Sequence, residues 1–305
     1  MAEMSGQPVV SPRAFALGIA NGDVPEDPSD FTPELAHSWR ERGLACVAVC
    51  FAQPATQLNN DSMRTLRTML ADAGIRVAEF AGVNANLVHP DPEVRDEAVQ
   101  RVRAAVGPAS ALGVRAINSG AGSCSSAWRE YFYRADAGNF SEAAEDRAVE
   151  TLGRIAQVMS DTDLLYTVEC HQLTTMRSAA VIRRVLDRVD HPQILANFDP
   201  INLLDTAYAA YTSAERIPEI IDIVGPRYAP TCHIKDMVVT DGMPLVTREV
   251  PPGKGVVQVQ TIFDAAQRLP GDEPVDLIVE HLGAEANAAI KYVRRHALDA
   301  GIQLT

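Results

Sequence analysis

Eight short apolar runs, separated by stretches of helical periodicity, organise this chain. They are Ala14 to Ala20, Leu44 to Phe51, Ile75 to Ala81, Val114 to Asn118, Leu164 to Glu169, Gln193 to Asp199, Ala229 to His233 and Val275 to Glu280. Near-continuous apolar strands belong to a sheet covered on both faces, and crossover helices between them make such a sheet parallel. Between the runs apolar residues recur three and four apart. Examples are Met63, Leu66 and Leu70 before Gly74, then Val94, Ala98, Val102 and Val106, then Ala148, Leu152, Ile155 and Met159. Later stretches repeat this with Ile182, Val185 and Val189, with Ile262, Ala265 and Leu269, and with Ile290, Val293 and Ala297. Eight strand–helix units in 305 residues suit one closed (β/α)8 barrel domain over 1–305 better than an open doubly wound sheet, since such barrels run to ~250 residues. Residues 1–12 are expected to be a flexible N-terminus.

Charge and composition exclude several functions. With 40 acidic against 27 basic residues, the net charge of −13 repels a phosphate backbone, so a nucleic-acid partner is not expected. No run approaches the ~18 apolar residues of a membrane span, and Met1 to Pro8 lacks the basic flank and apolar stretch of a signal peptide. A cytoplasmic location is expected. The five cysteines, Cys46, Cys50, Cys124, Cys170 and Cys232, are odd in number and without CxxC spacing. They read as reduced, small core residues, not as a zinc cage or a disulfide set.

The polar residues that close four of the runs carry the functional signal. Active sites of parallel barrels lie at the C-terminal strand ends, and there the runs place Glu169, Asp199, His233 and Glu280. Their separations of 30, 34 and 47 residues each fit one strand–helix unit or slightly more. Three carboxylates and an imidazole at one centre suit a hard divalent ion, Mn²⁺ first, with Mg²⁺, Co²⁺ or Zn²⁺ as alternatives. Without a cation, crowding the carboxylates raises at least one pKa and costs stability. One connection is unusually long. Ser119 to Asn139 exceeds the ~2–6 residues of an ordinary strand–helix loop, and Trp128, Tyr131, Phe132 and Tyr133 concentrate aromatic area there. These rings suit either a lid over a sugar or aryl group or packing against the rim or a neighbouring subunit.

The segments Val168-Glu-Cys-His171, Asn197-Phe-Asp-Pro-Ile-Asn202, His233-Ile-Lys-Asp236, Pro252-Gly-Lys-Gly255 and Val279-Glu-His281 resemble, in order, the motifs of the xylose-isomerase-like TIM barrel superfamily. Asn86-Leu-Val-His-Pro-Asp-Pro-Glu93 and Ala111-Leu-Gly-Val114 resemble it as well, so the likeness spans about residues 75 to 285. The group includes sugar phosphate isomerases and epimerases, ketose 3-epimerases, inosose dehydratases and endonuclease IV-type repair enzymes. The resemblance implies that Glu169, Asp199, His233 and Glu280 bind the metal, and that Glu169 and Glu280 also serve as an acid/base pair on opposite sides of the substrate. It puts His171 in the same mouth, as a catalytic donor to a hydroxyl or oxyanion or as support for a ligand. Lys235 is expected to orient substrate, and Asp236 to contact substrate, pair with Lys235 or orient His233. His89, Asn202 and Trp128 are the remaining substrate-binding candidates, and His281 is expected to support the eighth loop.

Departures from the pattern sharpen the expectation. Where the endonuclease branch has a histidine this chain has Asn202, and nothing after His233 supplies that branch's Asp-x-His pair. The segment Met237-Val-Val-Thr240 also lacks the arginine of ketose 3-epimerases. The expected activity is isomerisation or epimerisation of a keto-sugar or related polyol by proton abstraction α to a carbonyl, through an enediolate. The alternative is a lyase that uses the same enolisation for β-elimination, in the manner of inosose dehydratases or of the α-subunits of C-glycoside deglycosidases. Expected partners are a small sugar or glycoside and a second copy of the chain, or a small partner subunit if the lyase reading holds.

Overall fold

The computed structural model describes residues 12–127, 133–242, 246–280 and 283–305. Its strands in chain order are β1 (Phe15–Ile19), β2 (Cys46–Val49), β3 (Arg76–Phe80), β4 (Ala116–Gly120), β5 (Leu165–Glu169), β6 (Ile194–Phe198), β7 (Tyr228–Ile234), β8 (Asp236–Val239), β9 (Thr247–Val250) and β10 (Val275–Val279). The helices are α1 (Pro33–Glu41), α2 (Asn60–Asp72), α3 (Pro92–Leu112), α4 (Glu142–Met159), α5 (Ala179–Val189), α6 (Ala207–Tyr211), α7 (Ser213–Val224), α8 (Val259–Ala266) and α9 (Ala286–Asp299). Strands β1 to β7 and β10 pair in parallel and close into a barrel in the order β1-β10-β7-β6-β5-β4-β3-β2. Each of the eight apolar runs contributes one barrel strand. The fold is the expected (β/α)8 TIM barrel.

Local chemistry starts the helices where the periodicity begins. Asn59, Asp91 and Ser141 accept backbone hydrogen bonds at the N-termini of α2, α3 and α4, and Pro92 opens α3 with no N–H to lose. Periodicity did not reveal α1, α6 or α7, which are short or interrupted, α7 containing Pro218. Nor did it reveal the antiparallel hairpin of β8 and β9, whose four-residue strands are too short to show a period.

Alternation inside the barrel positions the site. Outward residues such as Phe15, Leu17, Ile19, Val47 and Val49 join the main core against the helices. Apart from Glu79, inward residues on β1 to β3 are small, with Ala16, Cys46, Ala48 and Ala78, and Ala20 just after β1, clustering with Ile278. Side chains two apart along a strand share a face, so Asp276, Ile278 and Glu280 all point inward, Asp276 at the floor and Glu280 at the mouth. The small residues on one side leave space. The polar residues on β5, β6, β7 and β10 face it.

Candidate metal centre

Glu169 ends β5, Asp199 and Glu280 immediately follow β6 and β10, and His233 lies near the end of β7. One ligating atom from each can be chosen so that all four lie within 4.8 Å of one another. The four residues picked out by their places in the sequence thus converge. Three of them, Glu169, His233 and Glu280, line with Glu79 a cavity of about 180 Å³ whose other walls include Ala20, Ala48, Ala81, Gly82 and Gly120. That is below the ~300 Å³ at which pockets for drug-sized ligands begin and leaves room for a small polyol.

His233 reads as a ligand oriented from behind. Its Nε2 lies 2.9 Å from Glu79 Oε2, and the Asn197 amide nitrogen lies 2.8 Å from the same ring nitrogen. With Nε2–H donating to Glu79, the lone pair of Nδ1 points toward the carboxylates. This Nδ1 is buried and has no hydrogen-bond partner, although Glu280 Oε1 is 3.0 Å away. A lone pair aimed at carboxylate oxygens is stable only if a cation, a proton or a metal, stands between them. The donor set of one imidazole and three carboxylates fits a divalent metal of the Mn²⁺ or Mg²⁺ kind. Glu79 is the carboxylate that holds His233, the candidate ligand. Replacing it by glutamine is expected to weaken Mn²⁺ binding about tenfold in calorimetric titration, and an unchanged affinity would show that it does not set the tautomer.

Lys235 is buried, with Nζ 2.7 Å from Asp199 Oδ2, 3.4 Å from Glu280 Oε2 and 3.2 Å from Glu249 Oε1. Its charge is committed to two ligands and to the β8–β9 hairpin, and it does not line the cavity. It positions the ligands where the sequence suggested a substrate contact. Even so, five carboxylates, Glu79, Glu169, Asp199, Glu249 and Glu280, surround one lysine and one histidine. The excess of negative charge favours a divalent ion.

The remaining candidates divide. Asn202 donates from Nδ2 to Glu169 Oε1 at 3.3 Å, and its backbone N–H reaches Asp199 Oδ1 at 3.4 Å. It contacts two members of the cluster and lines a neighbouring pocket with His171 and Glu249, not the 180 Å³ cavity. The assignment of Asp236 is corrected. Its carboxylate accepts from the backbone N–H groups of Met237, Gly253, Gly255 and Val257, so it ties the Pro252 to Gly255 turn to the hairpin. Gly255 is required there because a Cβ would lie 2.1 Å from the Met237 carbonyl oxygen. His89 does not line the cavity. Its Nδ1 accepts from the Asp91 N–H, its own N–H donates to Asn86 and its carbonyl accepts from Arg95, a structural role at the entry to α3. Trp128 and His281 lie outside the described residues.

His171 stacks on Tyr133 with ring centroids 4.6 Å apart, and its Nδ1 accepts from the Leu173 N–H. Burial, with the Lys235 charge adding to it, lowers its pKa to about 4, so it is neutral at pH 7. Tyr133 lines the cavity, and its hydroxyl donates to Glu169 Oε1. This ring of the long loop therefore reaches the centre. Asn21 and Asn84 also line the cavity, with φ of 56° and 51°. Strained backbone of this kind concentrates at binding sites.

Burial, reinforced by the Glu280 charge, raises the Glu169 carboxyl to about 7. Burial opposes the His233 imidazolium, but the Glu280 and Glu79 carboxylates hold it well above the usual histidine range. A carboxyl raised in the folded state binds more protons folded than unfolded between about 4.5 and about 7. Its contribution to stability is therefore present at low pH and lost as pH rises through that window. A metal takes the place of those protons and binds only the deprotonated ligands. Mn²⁺ is thus expected to raise the melting temperature more at pH 8 than at pH 5, and equal shifts at both would contradict this.

A family model described as the xylose isomerase-like TIM barrel matches residues 37–296. No curated protein matches the chain. Among solved structures, a xylose isomerase-like TIM barrel protein from Mycobacterium smegmatis in complex with magnesium is similar at a TM-score of 0.67 and 18% identity, over 94% of this chain and 96% of that one. A D-psicose 3-epimerase in the presence of D-fructose gives 0.64 and 17%, over 91% and 90%. The 3-keto-D-glucoside 4-epimerase of E. coli gives 0.65 and 14%, over 92% and 99%. With its closed eight-stranded barrel and a family match across most of its length, this chain belongs to the xylose isomerase-like TIM barrel family.

Proposed function

We propose that the protein is a divalent-metal-dependent enzyme that removes a proton α to the carbonyl of a keto-sugar or related polyol, with isomerisation or epimerisation as the outcome. The convergence of Glu169, Asp199, His233 and Glu280, three of which line a small cavity, carries this reading. A cation held there, Mn²⁺ first, supplies Lewis acidity that lowers the pKa of the proton beside a carbonyl. Glu169 and Glu280 then move the proton. One carboxylate takes it from one face of the carbon and the other returns it from the opposite face, which inverts the centre. Tyr133 and Asn202 fix Glu169 Oε1, and Lys235 fixes the Glu280 and Asp199 carboxylates, so the acid/base pair meets the substrate already oriented.

Elimination is the second reading, because the same enediolate can expel a β-substituent. A similar barrel is the probable 3-DHS dehydratase of Bacillus anthracis. Product analysis separates the two: a C-epimer or isomer of unchanged mass supports the first, and loss of water or of an aglycone supports the second. If aglycone release requires a small co-purifying chain, that chain is the partner subunit of the elimination reading.

A further inference from the structure

Asn118, on β4, is 2% exposed and lines the metal cavity. In the pairing of β4 with β5, Asn118 lies opposite Thr167 and Gly120 lies opposite Glu169. Side chains two apart share a face of a strand, so Asn118 stands one inward position below the level of Glu169. Gly120, above it on β4, carries no side chain and leaves it open to the cavity.

Neighbouring groups hold this amide in one orientation. Thr167 Oγ1 donates to Asn118 Oδ1 at 3.1 Å, while its other acceptor, the Ile117 carbonyl, is 3.5 Å away. A hydroxyl has one proton to give, and the shorter contact takes it. Asn118 Nδ2 then keeps both of its hydrogens, with no acceptor among the described residues. Other polar groups of the lining are engaged. Ser119 Oγ accepts from the Ala85 N–H at 3.0 Å, Glu79 Oε2 holds His233, and Glu169 Oε1 accepts from Tyr133 and Asn202. A buried donor without a partner costs stability, so this one calls for an acceptor that enters through the cavity.

Resting on the proton-abstraction reading for what enters, we propose that Asn118 is a specificity-determining contact whose Nδ2 donates to a substrate hydroxyl. That hydroxyl lies beyond the carbonyl and hydroxyl pair at the metal, because two residues of strand, about 6.6 Å, separate Asn118 from the Glu169 level. Glu79, Glu169 and Glu280 line the same cavity and repel an anionic group, which leaves a neutral oxygen as the acceptor. Thr167 is fully buried and does not line the cavity. It is a positioning residue that acts through Asn118.

The test is calorimetric binding of D-sorbitol, D-mannitol and galactitol to the Mn²⁺-loaded protein, since these alditols lack a carbonyl and cannot turn over. The tightest binder is expected to lose about tenfold in affinity in Asn118→Ala and about threefold in Thr167→Val. Both variants are expected to bind Mn²⁺ as wild type does. Thr167→Val keeps the side-chain volume and carries the test if thermal melting shows that Asn118→Ala does not fold. One mono-deoxy analogue of that alditol is expected to bind wild type about tenfold more weakly than its parent, yet to bind Asn118→Ala no more weakly than its parent, a coupling that a structural role does not produce. Absence of alditol binding, an affinity unchanged in either folded variant, or equal losses on deoxygenation in wild type and Asn118→Ala would each overturn the proposal. Weakened alditol binding in Asn118→Ala without α-proton exchange by wild type on any keto-sugar would support the contact and refute the proton-abstraction reading. Exchange by wild type with alditol affinity untouched in Asn118→Ala would do the reverse.

Discussion

Exchanging Glu280 for glutamine is expected to lower turnover at least about 1,000-fold, because the amide keeps the shape of the side chain but accepts no proton at neutral pH. General acid/base groups contribute about 10²–10⁴-fold, and Glu280 is in addition a ligand candidate within the four-residue cluster. Both effects act in the same direction. They are separated by calorimetric titration with Mn²⁺, which reports the ligand role, and by turnover at saturating Mn²⁺, which reports the proton transfer. A variant that binds one equivalent of Mn²⁺ and has lost turnover shows the acid/base role. Turnover within tenfold of wild type under those conditions would remove Glu280 from the chemistry.

The second large effect concerns stability and lies at the opposite end of the barrel. Asp276 is fully buried at the floor, where it pairs with Arg76 through both carboxylate oxygens and lies 3.2 Å from Arg115 Nη1. Removing one partner of a buried ion pair costs ~3–5 kcal/mol, because the other charge stays buried and unpaired. Arg76 is 40% exposed and can rehydrate, so Asp276→Ala is expected at the lower end, about 3 kcal/mol. For a chain of this size that is a fall in melting temperature on the order of 5 °C. Below the new midpoint, kcat is expected to be unchanged, since Asp276 does not line the metal cavity. A melting temperature equal to that of wild type would mean that the two arginines, and not the carboxylate, hold the floor.

The contrast between these two glutamate and aspartate positions shows what the sequence could reveal. Asp276 and Glu280 lie on the same inward face of one strand, four residues apart. Read from the chain, Glu280 announces itself because it closes an apolar run, whereas Asp276 sits inside one and has no sequence signal of depth. The same logic made Glu169, Asp199 and His233 visible, each at a strand end, together with all eight barrel strands. Glu79 was hidden by a backbone irregularity. The pairing of β2 with β3 passes from Val47↔Val77 to Ala48↔Glu79, so Ala78 is an extra residue on β3. Strict alternation would send Glu79 outward with Val77; the bulge re-aims it into the barrel, where it holds His233. A break in register has no signature in one sequence.

Other misreadings have equally specific causes. Asp236 follows a ligand motif and looked functional, but its partners are backbone N–H groups 17 to 21 residues later, contacts that exist only once the hairpin and the following turn have folded. Asn202 and Lys235 were placed at the right site, but their contacts with Glu169, Asp199 and Glu280 could not be read from spacing. Tyr133 was visible only as part of an aromatic excess. Its hydrogen bond to Glu169 depends on the course of the long loop. Asn21 and Asn84 became candidates only through their backbone angles.

The central claim is a proton abstraction that depends on one divalent ion held by Glu169, Asp199, His233 and Glu280. It is tested most directly by deuterium incorporation from D₂O into a panel of keto-sugars and keto-glucosides, read by mass spectrometry with chelator-treated protein and after return of one equivalent of Mn²⁺. The predicted result is incorporation at a carbon adjacent to the carbonyl of at least one compound, absent after chelation and restored by the metal. Stoichiometric Mn²⁺ binding with no incorporation across the panel, or incorporation that persists at full rate after the metal is removed, would contradict the account.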